Sequence, residues 1–76
     1  MKIEVISPDK KIYEGEVSSV ILPGAKGDFQ VLNNHAPIMS NLREGVIQLK
    51  NADGEENLSV TGGVVEINNN KIIVLV

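Results

Sequence analysis

Val46-Ile47-Gln48-Leu49-Lys50-Asn51-Ala52-Asp53-Gly54-Glu55-Glu56-Asn57-Leu58-Ser59-Val60-Thr61 is the stretch on which the fold turns. Apolar and polar residues alternate on both flanks, so Ile47 and Leu49 share one face and Leu58 and Val60 another. Ala52-Asp53-Gly54-Glu55 lies between them. A glycine-containing turn between two alternating runs predicts a β-hairpin.

The same grammar extends in both directions. Downstream, Gly62-Gly63 is a bend, Val64-Val65-Glu66-Ile67 a strand and Asn68-Asn69-Asn70 a tight connection into the final run, residues 71–76. That last run is apolar on both faces, so it is either buried on both sides or covered by something outside this chain. Upstream, Lys2-Ile3-Glu4-Val5 alternates, Ser7-Pro8-Asp9-Lys10 turns, and Lys11-Ile12-Tyr13-Glu14-Gly15 and Val17-Ser18-Ser19-Val20-Ile21-Leu22 read as strands. Pro23-Gly24-Ala25-Lys26-Gly27-Asp28 is the strongest break, followed by a short strand over 29–32. Asn33-Asn34-His35-Ala36-Pro37 breaks the pattern again, and 38–44 is ambiguous, a candidate for another strand.

The count is about eight to ten short strands at regular turn spacing, with no sustained helical period. The predicted fold is all-β, an antiparallel β-sandwich or flattened barrel forming one domain over residues 1–76. Its predicted core is Ile3, Val5, Val20, Leu22, Ile47, Leu49, Leu58, Val60, Ile67 and Val74. Composition agrees: of 25 Val, Ile and Leu residues, 19 are β-branched.

Charge and composition exclude several functions. Seven Lys and Arg against ten Asp and Glu give a net charge of −3, unlike a protein that binds nucleic acid through phosphates. Tyr13 and Phe29 are the only aromatics, too few for base stacking. There is no cysteine, hence neither a disulfide nor a thiolate metal site. The residues after Met1-Lys2 do not form the apolar stretch of a signal peptide, and no run is long enough to span a bilayer. A domain this small buries roughly 60–65% of its unfolded surface and gains from a permanent partner.

Catalytic candidates are sparse. His35 is the single histidine, and no serine stands in a nucleophile-elbow context. The acidic residues are scattered, which is unlike a carboxylate metal site, and no cofactor is expected. Gly24-Ala25-Lys26-Gly27-Asp28 lacks the spacing and the Lys-Ser/Thr pair of a phosphate loop and reads as an exposed turn. Lys26, Lys50 and Lys71 lack the flanking Met of a biotinyl or acyl carrier. The residues alone therefore point to a small acidic β domain that acts as an interaction module or a free-standing ligand binder.

The order of the motifs adds more. Leu22-Pro23-Gly24-Ala25-Lys26-Gly27-Asp28-Phe29-Gln30-Val31-Leu32 runs into Asn34-His35-Ala36-Pro37-Ile38-Met39. Leu42-Arg43-Glu44-Gly45-Val46-Ile47, the charged hairpin and Ser59-Val60-Thr61-Gly62-Gly63-Val64-Val65-Glu66-Ile67 follow. This set closely resembles the N-terminal domain of the epsilon subunit of F-type ATP synthases, called delta in mitochondria. The likeness covers essentially the whole chain. It departs at Gln30, where the family often has Gly, and in length, since many members continue into a C-terminal helical hairpin. No such hairpin is expected here, and neither its inhibitory contacts nor its ATP binding is carried over.

The resemblance implies a sandwich of about ten strands in the central stalk, as a non-catalytic subunit. Its expected partners are the gamma subunit and the c-ring, with the catalytic head reached only indirectly. Proton-driven ring rotation would then become torque on the head. By similarity, Gly27, Asp28 and Phe29 face the c-ring, and His35, Ala36, Pro37, Ile38, Met39 and Ser40 face gamma. The implied location is peripheral to the membrane, on the cytoplasmic face of the bacterial inner membrane, with the stromal side of the thylakoid as second choice.

Overall fold

The computed structural model describes residues 1–76. Nine strands are present: β1 (Lys2–Ile6), β2 (Lys11–Glu16), β3 (Ser19–Gly24), β4 (Gly27–Leu32), β5 (Ile38–Leu42), β6 (Gly45–Asn51), β7 (Gly54–Val60), β8 (Gly63–Asn68) and β9 (Lys71–Leu75). Hydrogen bonding orders them β2-β1-β9-β8-β5-β3-β6-β7, with β4 added on β3. This continuous sheet folds over at one corner. There β3 and β5 share only the Gly24–Leu42 pair. One layer is β2-β1-β9-β8-β5 and the other β4-β3-β6-β7, which is the expected sandwich with nine strands instead of about ten.

The deciding hairpin forms with β6 and β7 paired from Gly45–Val60 to Asn51–Gly54. Gly54 takes the positive φ of 130° that the turn demands. Two sequence expectations are corrected and one left open is settled. Pro23 and Gly24 belong to β3, and the turn shrinks to Ala25-Lys26. Proline is tolerated here because the strand ends beside it, and its carbonyl still accepts from the Arg43 amide at 2.9 Å. The ambiguous 38–44 stretch contains strand β5, paired with β8. The sheet is also not wholly antiparallel: β1 and β9 run parallel from Lys2–Lys71 to Ile6–Leu75. A parallel pair needs a long crossover, and here the rest of the domain supplies it.

The core is one cluster of fourteen apolar residues drawn from both layers. Nine of the ten predicted core residues are buried, and Leu58 is half-buried because it sits on edge strand β7. Val17, Val31, Leu42, Val65 and Ile72 complete the core. The final run resolves simply: Ile72 and Val74 point inward, Ile73 is half-covered and Leu75 is 53% exposed. No buried residue is polar or charged. The interior is therefore packing surface and holds no group able to donate or accept a proton.

Candidate functional site

The β3–β4 arm is built by close packing. Gly24 is buried, and a Cβ placed there would lie 2.6 Å from the Gly27 carbonyl oxygen and 2.9 Å from the Phe29 ring. The absence of a side chain lets Phe29 lie flat over the strand end. Gly27 has φ 132°, which closes the two-residue turn. Asp28 then points at Arg43, whose Nη2 donates to Oδ1 at 2.8 Å. Arg43 Nε also donates to the Gly24 carbonyl at 3.1 Å. Arg43 thus clamps both sides of the turn, and the Asp28 charge is already matched by a cation. Both side chains are more than half exposed, so the pair contributes about 0–1 kcal/mol to stability.

Across from this arm runs β5. Met39 is 68% exposed, Ile38 is on the border of exposure, and the Ser40 hydroxyl donates to the Asn41 carbonyl at 3.1 Å. The arm and the strand enclose an open groove of about 570 Å³, walled by residues 24–29 on one side and 38–41 on the other. Gly27, Asp28, Phe29, Ile38, Met39 and Ser40 therefore meet in one place. The remaining predicted site residues lie elsewhere. Pro37 lines a smaller recess beside Ile38, Met39 and Glu66. Exposed Ala36 and half-buried His35 lie in the loop from β4 to β5.

That loop is tied down at the opposite end of the domain from Asp28. The Asn34 amide donates to Asn70 Oδ1 at 2.7 Å, and Asn70 Nδ2 donates back to Asn34 Oδ1 at 3.3 Å. Both asparagines have positive φ, 64° and 58°, which asparagine accepts more readily than most residues. His35 Nδ1 lies 2.7 Å from the Ala36 carbonyl, so its ring bonds its own loop and not a serine hydroxyl. Arg43 and the Asn34–Asn70 clasp were missed in the sequence reading. Arg43 lies within a quoted motif, but nothing local ties it to a carboxylate 15 residues away.

On the outer face of β1 and β2, Glu14 accepts from Lys11 at 3.0 Å and contacts Lys2 at 3.1 Å. Hydrogen bonds from Lys11 and then Lys2, with their charges, hold the Glu14 carboxyl below its ordinary value. The Glu14 hydrogen bond and charge raise Lys2. This charged cluster lies on exposed side chains, away from the groove.

The model for the ATP synthase delta/epsilon chain, β-sandwich domain, matches residues 1–76. The chain belongs to this family. Among its relatives, the ATP synthase epsilon chain of Leptospira interrogans is 45% identical over 75 residues, covering 99% of this chain and 59% of that one. The epsilon chain of Chlorobium limicola is 39% identical, covering 97% of this chain and 85% of that one. A chain in the cryo-EM structure of the Euglena gracilis mitochondrial ATP synthase, OSCP/F1/c-ring, superposes with a TM-score of 0.87 at 18% identity, over 96% of this chain and 48% of that one. At that identity the superposition establishes the family fold. The chain thus spans 59% of the length of its Leptospira relative.

Proposed function

We propose that this chain is a non-catalytic rotor subunit of an F-type ATP synthase, packed between the gamma subunit and the c-ring. The observation that carries the reading is the family match over residues 1–76. The groove supports it, because it joins the two segments assigned to separate partners. Gly27, Asp28 and Phe29 sit at the turn and would meet the polar loops of the c-ring. Ile38, Met39 and Ser40 present an exposed apolar and small-residue strand suited to gamma. His35, Ala36 and Pro37 extend that surface toward the far end of the domain.

Such a subunit works by stiffness. Ring rotation must pass to gamma through this domain without loss, and a solid apolar core with no internal polar gaps deforms little. The Asp28–Arg43 pair refines the chemistry at the ring: the turn offers a dipolar pair, able to accept hydrogen bonds from a basic loop through Asp28 or donate them to an acidic one through Arg43, where the sequence alone suggested a bare carboxylate. The domain would lie on the cytoplasmic face of a bacterial membrane, held there through the complex. Co-purification with gamma and the c-ring tests the proposal. Retention on a gamma–ring complex supports it. Tight binding of a small metabolite with no retention replaces it with a free-standing ligand-binding module.

A further inference from the structure

Asn68 pairs with Lys71, so Asn69 and Asn70 alone connect β8 to β9. Both have positive φ, 53° and 58°, the type I′ geometry that suits the twist of a hairpin. Glycine is the residue such a turn prefers at its second position, because it has no Cβ to crowd a left-handed backbone. Asn70 stands there instead, and its side chain leaves the turn to reach Asn34, in the loop between β4 and β5.

The two bonds of this clasp define each other. A backbone N–H only donates, so the Asn34 amide demands an oxygen and turns Asn70 Oδ1 toward itself, at 2.7 Å. That leaves Asn70 Nδ2 facing the Asn34 side chain, which answers with Oδ1 at 3.3 Å. The Asn70 main chain is held separately, since its carbonyl accepts from the Lys2 amide at 3.1 Å. The clasp therefore ties Asn34 to a turn already fixed to β1, β8 and β9. Residues 33–37 have few other ties. His35 N donates to the Leu32 carbonyl at 3.2 Å, and the Met1 ammonium donates to Asn33 Oδ1 at 3.0 Å. Ala36 and Pro37 bond nothing outside the loop, and regular pairing resumes at Ile38–Ile67.

We infer that Asn70 is a positioning residue: its carboxamide holds Asn34 in the left-handed conformation and so presets the course of His35, Ala36 and Pro37, the loop that the rotor reading turns toward gamma. The partner rests on that reading; the mechanism rests on the clasp. A loop fixed before docking loses less entropy on binding than one ordered by its partner. The turn forgoes its best residue, and the loop on the neighbouring connection gains a fixed shape.

Asn70→Gly separates this role from the turn. Glycine suits the turn geometry at least as well and deletes only the clasp. Asn70→Asp is the conservative rescue: a carboxylate still accepts from the Asn34 amide, and the Asn34 carboxamide can rotate to donate its Nδ2 to the second oxygen. Backbone amide exchange by NMR, a thermal melt and affinity for a purified gamma–c-ring complex are read for the parent and both variants. The His35 amide is the deciding probe, because its bond to Leu32 is untouched by either substitution and opens only with the loop. Asn70→Gly should melt within a few degrees of the parent and leave exchange at buried Val65 unchanged. It should speed His35 exchange by about 3–10-fold and weaken rotor affinity by a similar factor, and Asn70→Asp should restore both. Unaltered His35 exchange in Asn70→Gly overturns the inference, and so does a collapsed melt, which makes Asn70 a residue of the fold. A faster loop with unchanged rotor affinity overturns the docking role and leaves the rotor reading standing. Equal losses of affinity in the two variants mean that residue 70 touches the partner itself, which overturns the inference too. A parent chain that the rotor does not retain overturns the rotor reading, whatever the exchange shows, and the docking role falls with it.

Discussion

Gly24→Ala isolates the contact on which the site arm is built. The new methyl carbon would lie 2.6 Å from the Gly27 carbonyl oxygen and 2.9 Å from two carbons of the Phe29 ring. Carbon atoms rest at about 3.5–4.0 Å, so the ring and the turn must both retreat. The turn is least able to do so, because Arg43 binds the Gly24 carbonyl and Asp28 on either side of it. Overpacking at a buried position costs about 1–3 kcal/mol. For a domain of this size each kcal/mol lowers the melting temperature by roughly 4–8 °C. Gly15→Ala is the control: its nearest neighbours are the Tyr13 hydroxyl at 3.4 Å and ring at 3.7 Å, ordinary contacts. It should be neutral or stabilise by about 0.4–1 kcal/mol, through a stiffer unfolded chain. Thermal melts followed by circular dichroism measure both. A Gly24→Ala/Phe29→Ala double variant should be less destabilised than the sum of the singles, since it removes half of the clash. A Gly24→Ala melt indistinguishable from the parent refutes the packing argument.

Three further outcomes are expected. Asp28→Lys breaks an exposed ion pair and sets two cations side by side, so the free domain should lose about 1 kcal/mol or less while retention on a gamma–ring complex drops, as read by a melt beside a pull-down. Met39→Asp leaves a hydrated carboxylate opposite Glu66, costing about 0.2–1 kcal/mol in the free domain but abolishing gamma retention; a collapsed melt would instead make Met39 part of the core. Glu14 titrates below its ordinary value when folded, so its contribution is present above the unfolded value and lost as pH falls through the folded one. Glu14→Gln should therefore lower the urea midpoint slightly at neutral pH, the effect being small because these side chains are exposed, and flatten the acid side of the stability–pH profile so that variant and parent converge in acid.

The hairpin was legible because its signal is local: alternation on both arms and Gly54 at the turn. The single positions that escaped were set by distance. Residues 38–42 do not alternate cleanly, since the outer face of β5 is solvent and its edge is half-open, so neither apolar pattern nor turn chemistry marks it. Pro23-Gly24 looks like a turn in isolation and is strand because Arg43 and Leu42 pair with it from another element. The two groups of predicted contact residues were named by resemblance. Their meeting across one groove depends on the corner between β3 and β5, which nothing in the linear order announces. Likewise Asp28 reads as free acid until Arg43 is placed beside it.

The parallel pairing of β1 with β9 has a consequence for how the chain comes to be folded. β9 lies between β1 and β8 and is the only strand outside the β1–β2 hairpin that pairs with it, a further direct tie to the sheet being Asn51 Nδ2 donating to the Tyr13 hydroxyl at 3.4 Å. It also delivers Ile72 and Val74, both fully buried, to the centre of the cluster. A nascent chain can form its hairpins early, but they stay loosely associated until residues 71–75 clear the ribosome. Closure then joins the first strand to the last, the most non-local contact the topology allows and a slow step by its loop entropy. Loss of the segment that forms β9 would leave the hairpins with no sandwich, exposing apolar edges to aggregation and proteolysis.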